Sequence, residues 1–278
     1  MAYDPAHEVI VLFGGSSNGT TFDDTWTWDG ENWTQQNPPT SPGALSAARL
    51  AANPATHNLL LVGGPNAALE TWSWDGQTWT HLHPQTSPSI GTTWGMVTDR
   101  ATGRIVLVTD GPQSMDTWTW DGSTWMKVPS ATAPPRRLGV DLAYDAARRQ
   151  VILFGGSSFS AAPLHDMWTW DGTTWTQRTP RCVPSGDFSN VVMAGDDAHG
   201  TVVLLRGDPE GFTWLWAGEA WTPVLPASRA GARPIGPMAY DAARGRVLSF
   251  GGTWSQYQGN TWTWDGSSWT CMLKSWCP

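Results

Sequence analysis

Charge is scarce in this chain, and so are lysine, cysteine, tyrosine and long apolar runs. Only 14% of the 278 residues are charged, and the 16 basic residues include just two lysines, Lys127 and Lys274. The formal net charge is −8 and no basic run occurs, which excludes the electrostatic footprint of a nucleic-acid-binding surface. No apolar stretch approaches the roughly 18 residues that a membrane-spanning helix requires, and no basic-then-apolar leader opens the sequence. The three cysteines, Cys182, Cys271 and Cys277, match no zinc spacing. Cys271 and Cys277 are close enough in sequence to close a small loop, which would leave Cys182 as an odd thiol. Four tyrosines (Tyr3, Tyr144, Tyr240, Tyr257) are too few and too regularly placed for a copper-radical set. No G-x-S-x-G nucleophile motif and no phosphate-cradling loop are present. His81-x-His83 is half of a metal site with no further ligand tied to it by sequence. His7, His57 and His199 fall in short turns, where they are expected to be solvated. Neither a metal nor a cofactor is expected.

What is abundant is tryptophan. Eighteen of the 21 tryptophans belong to one phrase repeated six times. The copies begin at Trp26, Trp72, Trp118, Trp168, Trp214 and Trp262, and run Trp-x-Trp-Asp-Gly followed by a further tryptophan. In the fifth copy Ala217 stands where the others have aspartate. A period of 46 to 50 residues marks a repeat architecture with one small sheet per repeat.

Each repeat carries the same four pieces. An inner segment of the type Leu138–Asp145 leads through a short turn to an apolar run such as Val151-Ile152-Leu153-Phe154, closed by Gly155-Gly156. A run that is apolar at every position and rich in β-branched residues reads as a strand covered on both faces. The third segment alternates Thr/Trp, so its two tryptophans share one face. Asp-Gly then turns the chain into a fourth strand, whose tryptophan lands on that same face opposite one of the first two. A single sheet cannot bury three indoles of ~150–250 Å² each on one side; stacking on the next sheet can. Six such four-stranded antiparallel blades predict an all-β, six-bladed β-propeller.

The Gly-Gly closing strand two, the aromatic-x-aromatic-Asp before the turn and the strand-four tryptophan resemble kelch repeats over essentially the whole chain. The resemblance implies a single kelch-type propeller domain, residues 1–278, with its strand 2–3 and 4–1 loops on one face. Kelch propellers mostly bind proteins, and related propellers include carbohydrate-active enzymes; the fold does not choose among these. Met1-Ala2-Tyr3-Asp4 repeats Met238-Ala239-Tyr240-Asp241 from inside the last repeat. The chain is therefore expected to be a piece trimmed from a longer protein; a monomer is also expected, and an extracytoplasmic location with the cytoplasm as the alternative.

Departures from the repeat nominate site residues. The Gly-Gly pair is replaced by Thr109-Asp110 in the third repeat and by Arg206-Gly207 in the fifth. This places Asp110, Arg206 and neighbouring Asp208 around a polar pocket on the loop face, or simply as solvated loop charges. Arg49, Asp141, Arg137 and Arg233 gather near one end of the inner strands, as a ligand site or as Arg–Asp pairs. Trp94, Trp254 and Tyr257, together with Phe159 and Phe188, bring aromatics to the same rim. Function in such an architecture collects on loops held by a rigid scaffold. The expected activity is a non-catalytic module binding glycan or protein on that face. The alternative is a metal-independent enzyme using Asp110, Asp141 or Asp208 with Arg206 on a small polar or sugar-like substrate.

Overall fold

The computed structural model describes every residue except 18, 46, 65–68, 90–92, 185–190, 207–212, 225–235, 253–258 and 273–278. The described residues form 24 strands and no helix, in six four-stranded sheets. Blade 1 is β1 (Ala2–Asp4), β2 (Val9–Ser17), β3 (Thr20–Trp28) and β4 (Trp33–Gln36). Blade 2 is β5 (Arg49–Ala52), β6 (Leu59–Gly63), β7 (Glu70–Trp74) and β8 (Trp79–Leu82). Blade 3 is β9 (Trp94–Asp99), β10 (Arg104–Asp110), β11 (Met115–Trp120) and β12 (Trp125–Val128). Blade 4 is β13 (Leu142–Asp145), β14 (Gln150–Phe154), β15 (Met167–Trp170) and β16 (Trp175–Arg178). Blade 5 is β17 (Val191–Asp196), β18 (Thr201–Arg206), β19 (Thr213–Trp216) and β20 (Trp221–Val224). Blade 6 is β21 (Met238–Asp241), β22 (Arg246–Phe250), β23 (Thr261–Trp264) and β24 (Trp269–Cys271). Every sheet is an antiparallel meander in chain order. The blades fall into two compact units, Met1–Pro129 with blades 1 to 3 and Ser130–Pro278 with blades 4 to 6.

The second strand of each blade is the core strand, as its all-apolar pattern predicts. Val151, Ile152 and Leu153 are fully buried, as are Leu59, Leu61, Val62 and Ile105 to Val108. The hairpin register pairs the second tryptophan of each phrase with the strand-four tryptophan: Trp28 with Trp33, Trp120 with Trp125, Trp264 with Trp269. The Asp-Gly loop therefore has four residues. Its aspartate takes the turn's free N–H groups: Asp29 Oδ1 accepts those of Glu31 and Asn32, both at 2.8 Å. The same bonds hold Asp75, Asp121, Asp171 and Asp265, an Asx turn in each case. Blade 5 has Ala217 there and lacks it.

Blades meet through the indoles. The strand-four tryptophan donates Nε1–H to a buried threonine of the preceding blade: Trp79 to Thr25 at 2.9 Å, Trp125 to Thr71 at 3.2 Å, Trp269 to Thr213 at 3.0 Å. Blade 4 carries Met167 at the threonine position, and the buried Trp221 Nε1 has no partner. The strand 4–1 loops strap the next blade's edge. Thr40 exchanges bonds with the Trp79 backbone, Thr86 accepts from Trp125 N–H, and Cys182 accepts from Trp221 N–H. Thr132 Oγ1 donates to the Trp175 carbonyl at 2.5 Å. An outer strand that would otherwise present open backbone groups is thereby covered.

His7 and His199 are exposed, as their turn positions predict, and each is also held by an aspartate. His7 Nδ1 lies 2.9 Å from Asp4, and His199 Nδ1 lies 2.9 Å from Asp196. Both aspartates are buried. The imidazole of His7 rests on Gly76 in the Asp-Gly turn of blade 2, where a Cβ would collide with the ring. Arg148 and Arg244 pair with Asp145 and Asp241 in the same way. At the chain end Cys271 is disulfide-bonded, Cys182 is free and exposed, and Cys277 lies outside the described residues.

Candidate functional site

The Gly-Gly pairs impose backbone geometry that other residues rarely adopt. Gly14 and Gly156 adopt φ of +57° and +87°, and a Cβ on Gly156 would sit 2.5 Å from the Leu138 carbonyl oxygen. Only glycine tolerates both conditions; in blade 4 strand β14 ends at Phe154 just before the pair, whereas in blade 1 the ladder shifts register between Phe13 and Gly15 and then runs on to Ser17. Where the pair is replaced, the ladder runs through the position without that shift. In blade 3, Thr109 pairs with Asp116 and Asp110 with Met115, ending in a tight Gly111–Ser114 turn. In blade 5, Arg206 still pairs with Val191. The inner strands of these two blades are six residues long, against three or four in the others. The replacements thus go with longer inner strands.

The nominated charges are held by the framework. Asp110 is half-buried and accepts the Thr93 backbone N–H at 3.4 Å. Asp141 accepts the Met193 N–H at 2.6 Å, tying blade 4 to blade 5. Arg49 donates to the carbonyls of Ala47 and Ala48. Arg206 is half-buried at the end of β18. Trp94 is a β9 residue opposite Thr109, packed with Ala51, Met96 and Trp118, and only 8% exposed. It belongs to the core, not to a rim. Asp208, Arg233, Trp254, Tyr257 and Phe188 lie outside the described residues.

Arg137 is fully buried and forms a bidentate pair with Asp166, both contacts at 2.7 Å. It also donates to the carbonyls of Gly155 (2.9 Å) and Pro135 (3.1 Å). Asp166 further accepts Trp168 Nε1–H at 2.6 Å. Burial pushes the Asp166 carboxyl up, but the hydrogen bonds and charge of Arg137 outweigh it and hold the group below its ordinary range. This is an Arg–Asp pair, but not one between blades as the sequence suggested, and its partner is Asp166 rather than Asp141. It lies within blade 4 and joins the loop entering the blade to the strand 2–3 loop.

That pair clamps the strand 2–3 loop of blade 4. Leu138 and Ser157 exchange backbone hydrogen bonds at 2.7 and 2.9 Å. Beyond them the loop closes on itself: Ser158 N–H donates to Ala162 O, Ala161 N–H to Ser158 O, and Leu164 N–H to Gly156 O, each at 2.8 Å. At its tip Phe159 is 50% exposed, and the Arg136 guanidinium lies 4.4 Å from its ring centroid. Sequence reasoning placed Phe159 on the rim but missed Arg136, whose only signal was the Arg-Arg pair before the inner strand. In blade 2, Trp72 stacks on His81 at 4.4 Å, and His81 meets His83 edge-on at 4.3 Å. Among the described residues no group of three or more metal-ligating side chains could hold an ion.

No family model and no curated protein matches the chain. Solved structures do. SapL1 lectin in complex with alpha methyl fucoside superposes over 97% of this chain and 92% of its own, with TM-score 0.67 and 12% identity. YjhT superposes over 93% and 96%, with TM-score 0.62 and 12% identity. An Aleuria aurantia lectin mutant in complex with Fucα1-6GlcNAc superposes over 95% and 94%, with TM-score 0.56 and 14% identity. At such identities the likeness establishes the fold: six four-stranded blades in a β-propeller.

Proposed function

We propose that this chain is a non-catalytic recognition module that binds glycan through its strand 2–3 and 4–1 loops. The observation that carries the reading is the fate of the charged side chains. A general acid or base must reach a reacting group. Arg137 and Asp166 are locked to each other, Asp141 is bonded to the Met193 backbone, and Asp110 receives the Thr93 N–H. What the described loops offer to a ligand in the second unit is an aromatic ring on an ordered turn. Two of the similar structures, SapL1 lectin and the Aleuria aurantia lectin, were solved with fucosides, which supports sugar as the ligand class. The kelch type of repeat is part of this reading and rests on Gly155-Gly156, Trp-x-Trp-Asp-Gly and the strand-four tryptophan. An extracytoplasmic location is also part of it, supported by the disulfide at Cys271, since such bonds persist in oxidising compartments.

A glycan array probed with the purified chain tests the proposal. Saturable binding to one class of terminal sugar is expected. A blank array with retained folding would remove glycan recognition.

A further inference from the structure

Among the described residues of the second unit, Phe159 is the one large apolar side chain left exposed. A single exposed hydrophobe is ordinary on a protein surface. Phe159 is not ordinary in how it is held. The turn that carries it is closed by the backbone bonds of Ser158, Ala161 and Leu164, and Ser158 Oγ also accepts the Ala162 N–H at 3.1 Å. The base of the loop is fixed by the buried Arg137–Asp166 pair. Arg136 lies against the ring, its guanidinium carbon 4.4 Å from the centroid, a cation–π contact that fixes the ring's orientation.

We infer that Phe159 is the stacking platform for the apolar face of one pyranose ring. The inference rests on the glycan reading above and names its contact. With a guanidinium on one face of a ring that is 50% exposed, the ligand is assigned to the opposite face. Ser158 and Ser160, which flank Phe159 in sequence and whose hydroxyls lie 2.8 Å apart, both donate and accept and suit sugar hydroxyls. A lone ring flanked by hydroxyls matches one saccharide unit. A protein partner would call for a contiguous apolar core of several anchors, and the second unit offers none among its described residues. Because loop and ring are already ordered, little conformational freedom is lost on binding.

The test uses the whole chain, a panel of methyl glycosides that includes methyl α-fucoside, and calorimetric titration of wild type, Phe159→Ala and Phe159→Trp. Wild type should bind at least one glycoside. Phe159→Ala should weaken that affinity at least about tenfold, the loss typical of a truncated anchor, with an unchanged unfolding midpoint. Phe159→Trp should retain binding. The bound sugar's C–H protons should shift upfield in the proton spectrum with wild type and not with Phe159→Ala. Unchanged affinity in Phe159→Ala overturns the platform and leaves glycan recognition standing. A wild type that binds no glycoside on the panel and nothing on the array overturns both, as would exclusive binding to a peptide.

Discussion

Replacing Trp79 by phenylalanine and, in a separate protein, Trp221 by phenylalanine removes the same atoms from two matched sites. Both indoles are 1% exposed. Each meets a phenylalanine of the preceding blade, Phe13 at 5.3 Å and Phe154 at 5.2 Å, and each leans on its hairpin tryptophan at 5.1 or 5.6 Å. The volume lost is therefore common to both. The hydrogen bond is not. Trp79 Nε1 donates to Thr25 Oγ1 at 2.9 Å, whereas Trp221 Nε1 is buried without a partner because Met167 replaces threonine. Losing a made bond costs about 1 kcal/mol, while an unsatisfied buried donor costs about 1–3 kcal/mol and is relieved when the donor is deleted. Trp79→Phe should therefore be more destabilising than Trp221→Phe by about 2 kcal/mol. Denaturant titration of both variants, read at a common slope, gives the difference directly. Equal losses within about 0.5 kcal/mol, or a larger loss at Trp221, would refute the claim that the Trp–Thr bond joins the blades.

Other outcomes follow from the same geometry. Ala217→Asp should restore the Asx turn missing from blade 5 and place a carboxylate near Arg148, which donates to the Ala217 carbonyl. The unfolding midpoint should rise, with a gain of about 0.5–1 kcal/mol. Arg137→Met should cost about 3–5 kcal/mol by stranding Asp166 beside a buried void, read as a loss of midpoint. At the Asp265 turn, burial raises the carboxyl, but hydrogen bonds from Ser268 and Ser267 win and hold it at about 2, against an ordinary 3.8. A folded-state value below the unfolded one contributes stability above the unfolded value and loses it as pH falls through the folded one. Asp265→Asn should therefore flatten the acid limb of stability between about pH 4 and about pH 2, measured by midpoints across that range.

Sequence pattern carried the fold because the constraints were local and repeated. Six Trp-x-Trp phrases specified strand, face and hairpin, and only the loop length, two residues or four, awaited the register of Trp28 with Trp33. The site was less legible. The lost Gly-Gly pairs at Thr109-Asp110 and Arg206-Gly207 suggested a pocket, yet Asp110 and Arg206 are strand residues, paired with Met115 and Val191. Trp94 resembled a rim aromatic because it stands outside the phrase. It is a β9 residue, paired with Thr109 and packed into the core. His7 and His199 sit in turns, but each reaches the next blade's turn glycine, a contact between residues some 70 positions apart that no local pattern announces. Arg136 became visible only when its neighbour Arg137 was seen to turn inward.

Binding without chemistry is the central claim, and one experiment addresses both halves. The sugar selected by the array is titrated into the chain while its proton spectrum is followed for a day at saturation. The account predicts saturable binding with the spectrum of the recovered ligand unchanged. Turnover of the sugar, or no saturable binding at all, would contradict it.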